Sequence, residues 1–364
     1  MLIHCKNATL RQAVQHRSGE FRLLIKDFKM PAVQKYFDDF HSKIKLDDDD
    51  EKANLRDKRD TILRALDANL PEDVPKYDNF HQGSYSMHTG VVPLDGNYDI
   101  DVGIVFDCKR DKYPDPVALK KIIRDALDTH GRNVSIRRPC VTVNYMRGDV
   151  ISYHVDLAVY TKRDDEFLDL AKGKENSEAS KRVWETSDPK QLTKIICNAF
   201  SETNELAQYR RCIRYLKRWR QVQFASGAPL SIALTVAAQK WFKPHFETSG
   251  KAGDLQAMLN WVNAILAQFQ WISTDGSFYQ RLAVTLPVTP YCDLMEWMTE
   301  GQMSTVKSKF EVLRDALQDA YDEELPEDAC KVLKKQFGDD FMVPEKAATA
   351  RAVVPPVIST GNSA

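Results

Sequence analysis

The stretch "HQGSYSMHTGVVPLDGNYDIDVGIVFD", residues 81–107, decides the reading of the fold. Its second half alternates. Ile100, Val102, Ile104 and Phe106 point one way; Asp99, Asp101, Gly103 and Val105 point the other. A period of two is the signature of a β-strand. Aspartate is disfavoured in strand interiors. Two unpaired carboxylates on one strand face, about 7 Å apart at Cα, are costly in a half-buried sheet. Either the pair marks a solvated strand edge or it holds metal.

A third carboxylate favours metal. Asp156 sits in "SYHVDLAVY" (152–160), between Val155 and Leu157, on a strand able to lie beside the first. Asp99, Asp101 and Asp156 together suit two Mg²⁺ ions, with Mn²⁺ as a substitute. Two such ions about 3.5–4 Å apart activate an attacking hydroxyl and stabilise leaving pyrophosphate. Gly83-Ser84 supplies the other half: glycine lets backbone approach a phosphate, and Ser84 offers an N–H and a hydroxyl. His154 stands two residues before Asp156, but two-metal chemistry needs no histidine base. We therefore expect His154 to be a satisfied or exposed side chain.

Bulk properties bound the rest. A chain of 364 residues with 43% hydrophobic content suggests two domains or one bilobal unit. With 51 Lys+Arg against 52 Asp+Glu there is no global field for nucleic acid, and stable nucleic-acid binding is not expected. The seven cysteines lack Cys-x-x-Cys spacing, which points to reduced thiols in a cytoplasmic protein. There is no signal-peptide pattern and no run of about 18 apolar residues, so no membrane span is expected.

Along the chain, "EFRLLIKDFKM" (20–30) and "VQKYFDDFHSKI" (33–44) read as short helices. The acidic run "LDDDDEK" (46–52) reads as a turn and the start of a helix that continues through Leu55, Ile62, Leu63 and Leu66. Residues 115–130 read as a helix closed by Gly131; 140–146 and 151–160 read as a hairpin across "RGD". "AKGKENSEASKR" (171–182) is polar and reads as a mobile loop. From about 190 the pattern is helical: residues 193–224 as one long amphipathic segment, then 229–242, 255–272 and 306–324. In the segment "RRCIRYLKRWR" (210–220) we expect a half-solvated helix with an apolar stripe of Cys212, Ile213, Leu216 and Trp219. The last twenty or so residues read as a flexible tail.

"GSYSMHTGVVPLDGNYDIDVGIVFD" with "YHVDLAVY" resembles the nucleotidyltransferase core of polymerase-β-like enzymes. "QGSYSMHT…DIDVG" resembles more narrowly the bacterial cGAS/DncV-like nucleotidyltransferases (CD-NTases) of CBASS anti-phage systems, nearest to those making cyclic dinucleotides. "IRYLKRWRQ" followed by "PLSIAL" resembles that family's helical lobe, and "KKQFGDDFMVP" its closing Phe-Gly segment. The resemblance implies an α/β (α+β) bilobal fold: a mixed-sheet catalytic lobe plus an oligoadenylate-synthase-like helical lobe. It implies an N-terminal extension at 1–35, a catalytic core with its helix brace at 36–185, a helical lobe at 186–345 and a tail at 346–364. It implies that Gln82, Gly83, Ser84 and Tyr85 line the nucleotide site, that Lys217 and Ser231 touch the donor triphosphate, and that Asp275 contacts a base.

The implied reaction joins two NTPs into a cyclic dinucleotide messenger with release of pyrophosphate. The implied partners are an effector that reads the product and a ubiquitin-like ligase acting on the tail. Alternatives left open are a linear oligonucleotide or cyclic trinucleotide synthase, a nucleotidyltransferase acting on RNA or protein, and a nucleotide-binding regulator without turnover.

Overall fold

The computed structural model describes residues 13–15, 21–23, 32–46, 49–128, 132–147, 150–274 and 276–345. A small antiparallel pair, β1 (Ala13–Gln15) and β2 (Phe21–Leu23), comes first. The helix expected over 20–30 is therefore not formed at Phe21–Leu23: those three residues pair with a neighbouring strand, and three residues are too few for periodicity to separate helix from strand.

The expected strands form one mixed sheet. Its main path runs β3 (Tyr77–His81), β4 (Tyr98–Phe106), β7 (Val150–Lys162), β6 (Val141–Arg147), β5 (Asn133–Ile136). β8 (Leu168–Lys172) pairs with the far end of β7 and with β9 (Val183–Ser187). β4 and β7 are parallel; β6 and β7 form the expected antiparallel pair.

One face of this sheet is covered by α2 (Asp49–Asn69) and α4 (Pro116–Leu127). Leu55, Ile62 and Leu66 of α2, with Leu119, Ile123 and Leu127 of α4, pack on Ile100, Val102, Ile104 and Phe106. α4 starts cleanly because the Asp115 side chain accepts from Val117 N–H and Pro116 needs no donor. On the other face Val105, Ala158 and Tyr160 pack with Phe80. Gly103 makes room for that ring, since a Cβ there stands 2.3 Å from it.

The segment 171–182 is not a loose loop. Its start lies in β8, and Arg182 ties its turn down by donating to Ser177 O, Glu175 O and Asp115. The long segment from 193 is broken into α5 (Pro189–Cys197) and α6 (Thr203–Gln223). Phe200, in the break, packs edge-on and tilted against Phe242 and Tyr209, and turns the chain into α6. Then follow α7 (Ser231–Trp241), α8 (Asp254–Leu266), a hairpin of β10 (Gln270–Thr274) and β11 (Ser277–Arg281), α9 (Glu300–Asp322) and α10 (Pro326–Phe337). The end of the expected 255–272 helix is thus strand β10 instead, held by its ladder to β11.

α1 (Gln34–Ile44) joins the helical layer rather than the sheet, although all but its first two residues lie within 36–185. Its Phe37 and Phe40 pack against Tyr215, Phe337 and Phe341. No helix among the described residues is long and apolar enough to cross a membrane.

α6 departs most from expectation. From Cys212 to Trp219 every residue is buried, including Arg214, Lys217 and Arg218. Lys217 and Arg218 lie one turn on from Arg214, and all three reach residues 88–92. Arg214 donates to His88 O and Gly90 O, Lys217 to Thr89 O and Oγ1, and Arg218 to Val92 O. The basic helix is not half-solvated; its charges satisfy the carbonyls of the connection between the Gly-Ser turn and β4.

Candidate active site

The acids lie where β4 runs beside β7. The parallel register sets Asp101 next to Asp156 and Asp99 next to His154. Alternation along both strands keeps the three carboxylates on one face. His154 Nε2 is 3.1 Å from Asp99 Oδ1, and Nδ1 is 2.9 Å from Asn97 Oδ1, an acceptor, so Nδ1 carries a proton. Asp156 accepts from Thr142 Oγ1 on the adjoining strand β6. The carboxylate of Asp101 lies against the backbone of Gly83.

The electrostatics follow from this crowding. Burial, then the Asp99 and Asp156 charges, hold the Asp101 pKa well above the usual carboxylate range; His154 and Lys217 oppose this without cancelling it. Burial and Asp99 likewise raise Asp156, against Thr142, His154 and Arg137. For His154, burial lowers the pKa, but the hydrogen bond to Asp99 and the charges of Asp99 and Asp156 outweigh it and the net shift is upward. Within the protein alone, burial and mutual repulsion thus disfavour the ionised forms of Asp101 and Asp156. Asp99, His154 and Asp156 can each aim one ligand atom so that all lie within 4.8 Å of one another. This oxygen-dominated set fits a hard divalent cation.

Beside the acids is a cleft of about 280 Å³. Gly83, Ser84, Asp99, Asp101, Lys217 and Ser231 line it together. They come from four places in the chain: the one-turn helix α3 (Gly83–Ser86), strand β4, mid-α6 and the first residue of α7. Burial, then Arg214, lower the Lys217 pKa to about 7, with Asp101 pulling it back up. Its ammonium spends two donors on Thr89 and retains a third.

Residues 76–160, which contain all three acids and the Gly-Ser turn, match the family model described as "Cyclic GMP-AMP synthase DncV-like, nucleotidyltransferase domain". The chain carries a DncV-like nucleotidyltransferase domain. A curated relative, the cyclic GMP-AMP synthase of Escherichia albertii, is 29% identical over 174 residues, 45% of this chain and 37% of that protein. The match thus spans well under half the length of that relative. Among solved structures, Vibrio cholerae DncV cyclic AMP-GMP synthase in complex with a linear intermediate superposes with a TM-score of 0.65 at 17% identity, covering 86% of this chain and 97% of that one. The Bradyrhizobium diazoefficiens CD-NTase CdnG in complex with GTP gives 0.65 at 16% identity, covering 85% and 95%. These likenesses show that the fold extends well beyond the DncV-like domain, into the helical layer.

Two predicted site residues stand apart from the cleft. Gln82 accepts from the Tyr160 hydroxyl at 3.0 Å, and its N–H donates to Asp101 O, so it braces the strand behind the acids. Tyr85 lies against the His81 ring, centroids 5.2 Å apart, and lines a different cavity. One residue of spacing along α3 rotates a side chain by about 100°, which separates Tyr85 from Ser84. Asp275 lies outside the described residues.

Sequence reasoning also missed Asn97, Thr142 and Thr89. A signal for one partner was available. Once Asp156 is set beside Asp101 in a parallel pair, the residues two back on each strand are Asp99 and His154. His154 is satisfied, as expected, but by the site itself. Replacing His154 with Ala should weaken Mn²⁺ binding about 10–100-fold, the usual consequence of removing a group that orients metal ligands; titration calorimetry on the purified chain reads this directly.

Gly83 in the DncV-like domain is required for two reasons. It has φ +69°, and a Cβ there stands 1.8 Å from Asp101 Oδ2. Gly83→Ala must shift either α3 or the carboxylate. We expect a loss of about 10–100-fold in nucleotidyl transfer with an unchanged circular-dichroism spectrum, because displacements of about 1 Å at a reacting centre cost that much.

Proposed function

We propose that the chain joins two nucleoside triphosphates into a cyclic dinucleotide in a Mg²⁺-dependent reaction. The observation that carries this is the registered pair Asp101–Asp156, with Asp99 two residues away, beside a cleft that Asp99 and Asp101 line together with Gly83, Ser84, Lys217 and Ser231. Asp99, Asp101 and Asp156 hold divalent cations. Such ions, when bound, lower the pKa of an attacking hydroxyl and offset charge on departing pyrophosphate.

The chain's own residues do the positioning. Gly83 N–H and the Ser84 hydroxyl hold donor phosphate, and the remaining Lys217 donor and Ser231 hold the far end of the triphosphate. The ribose hydroxyl oxygen of the acceptor bonds to the donor α-phosphorus as the bond to pyrophosphate breaks. A second transfer in the same cleft closes the ring and releases a second pyrophosphate. His154 fixes Asp99, and Thr142 fixes Asp156.

Solved structures of DncV with a linear intermediate and of CdnG with GTP support nucleotides as substrates. In this reading 36–185 and 186–345 act as catalytic and helical parts. The product is read by an effector in cytoplasmic anti-phage signalling, and the 346–364 tail is the substrate of a ubiquitin-like ligase. The test is incubation with Mg²⁺ and all four NTPs, followed by product mass. A cyclic dinucleotide supports the reading. A linear product, a cyclic trinucleotide, a nucleotidylated macromolecule, or NTP binding without pyrophosphate release would each replace it.

A further inference from the structure

The catalytic cleft holds about 280 Å³, just under the roughly 300–1,000 Å³ of pockets that take one small molecule. Among the described residues that line it, Lys217 alone is a cation. The proposed reaction needs two triphosphates, and the second brings as much negative charge as the first. The acceptor nucleotide therefore has to reach outside this cleft, and its phosphates need a cation of their own.

The sheet supplies one on the other side of the acids. The cleft borders β4, while β6 and β5 lie beyond β7. Val134 and Ile136 of β5 pack into the core with Val141 and Val143 of β6. Alternation then puts Ser135 and Arg137 on the opposite face, with Thr142 and Asp156. The ladder carries on one step past β5, since Arg137 N–H donates to Cys140 O at 3.0 Å. Cys140 Sγ is 3.5 Å from Thr142 Oγ1, which itself donates to Asp156, so this turn stands beside the acid. The turn is held from behind: Lys120, fully buried, donates to Arg137 O, Arg138 O and Gly173 O.

The Arg137 side chain is exposed and makes no hydrogen bond or ion pair among the described residues. Its charge still reaches the site. Burial comes first in setting the pKa of Asp156 and of His154, and the Arg137 charge acts on both, lowering each. Arg138, the next residue, lines a different cavity with Lys174 and Lys181. A free guanidinium fork on a fixed turn beside the acids suits phosphate oxygens, which it can take two at a time.

We propose that Arg137 holds the phosphates of the acceptor nucleotide, on the side of the acids away from Lys217, and so selects a nucleotide over a nucleoside as acceptor. This rests on the nucleotidyl-transfer reading above.

The test uses a dideoxynucleoside triphosphate as donor, which has no ribose hydroxyl with which to accept, so a single joining step is read. The acceptor is a ribonucleoside, offered with and without its triphosphate, and each base is tried in turn. Arg137→Gln should raise the KM for the triphosphate acceptor about 10–100-fold with kcat nearly unchanged, the worth of one charged hydrogen-bonding partner. Without the triphosphate, wild type and variant should behave alike. Arg137→Lys, which keeps the charge but not the fork, should restore part of the loss. Arg138→Gln should match the wild type. An unchanged KM in Arg137→Gln, an equal effect on both forms of the acceptor, or an equal loss in Arg138→Gln would overturn the proposal while leaving the reaction itself standing. A wild-type chain that joins no nucleotides would overturn both.

Discussion

Asp101→Asn should remove nucleotidyl transfer by about 1,000-fold or more while leaving the protein at least as heat-stable as before. The loss follows from the position of Asp101: it is next to Asp156 in register, against Gly83, and on the wall of the cleft. Removing a group that merely orients a metal ligand costs about 10–100-fold. Removing charge at the reacting centre costs as much again or more. The stability half of the result follows from repulsion. Burial and two neighbouring carboxylates disfavour the ionised form of Asp101 in the folded chain. An amide of nearly the same shape carries no charge to repel. Activity and thermal unfolding measured on the same preparation check both halves; a fall in both would mean that Asp101 is structural.

Asp254→Asn should do the reverse and destabilise the fold by about 3–5 kcal/mol, the usual cost of stranding one partner of a buried ion pair. Asp254 is fully buried at the start of α8. Its carboxylate accepts from Arg211 Nε and Nη2 at 2.8 and 2.9 Å, from Gln208 Nε2 at 3.0 Å and from the Tyr215 hydroxyl at 3.0 Å. Its N–H donates to Gln34 Oε1 at 2.8 Å. One residue thereby joins α1, α6 and α8, its carboxylate to α6 and its N–H to α1. Burial alone raises its pKa, but the bonds to Arg211 and the other donors more than reverse this, so the net shift is downward. Urea unfolding of the variant reads the cost; a loss below about 1 kcal/mol would show that the network is dispensable.

The strands that carry the acids were legible because their chemistry is local. The alternation of Ile100, Val102, Ile104 and Phe106 is a strand pattern wherever the chain goes, and Val155 and Leu157 frame Asp156 in the same way. Pairing the two strands then brings the acids together. Helices α2, α4 and α7 were legible for similar reasons, through periodicity and flanking prolines. The buried cations of α6 were not. Arg214, Lys217 and Arg218 look like solvent-facing residues in sequence, because their partners are main-chain carbonyls more than a hundred residues away. The same holds for Asp254, which reads as an ordinary helix-start acid until α1 and α6 are packed on it. Where Tyr85 points was not legible either: the family likeness assigns a whole segment to the nucleotide site, whereas one step along a helix decides which cavity a side chain lines.

The central claim is that these registered carboxylates make a cyclic nucleotide-joining centre. Mass spectrometry of the products formed from Mg²⁺ and the four NTPs, by the wild-type chain and by Asp99→Asn/Asp101→Asn side by side, tests it most directly. The expected result is a cyclic dinucleotide from the wild type and none from the variant. Identical spectra from both, with no nucleotide joined under any activating condition, would contradict it.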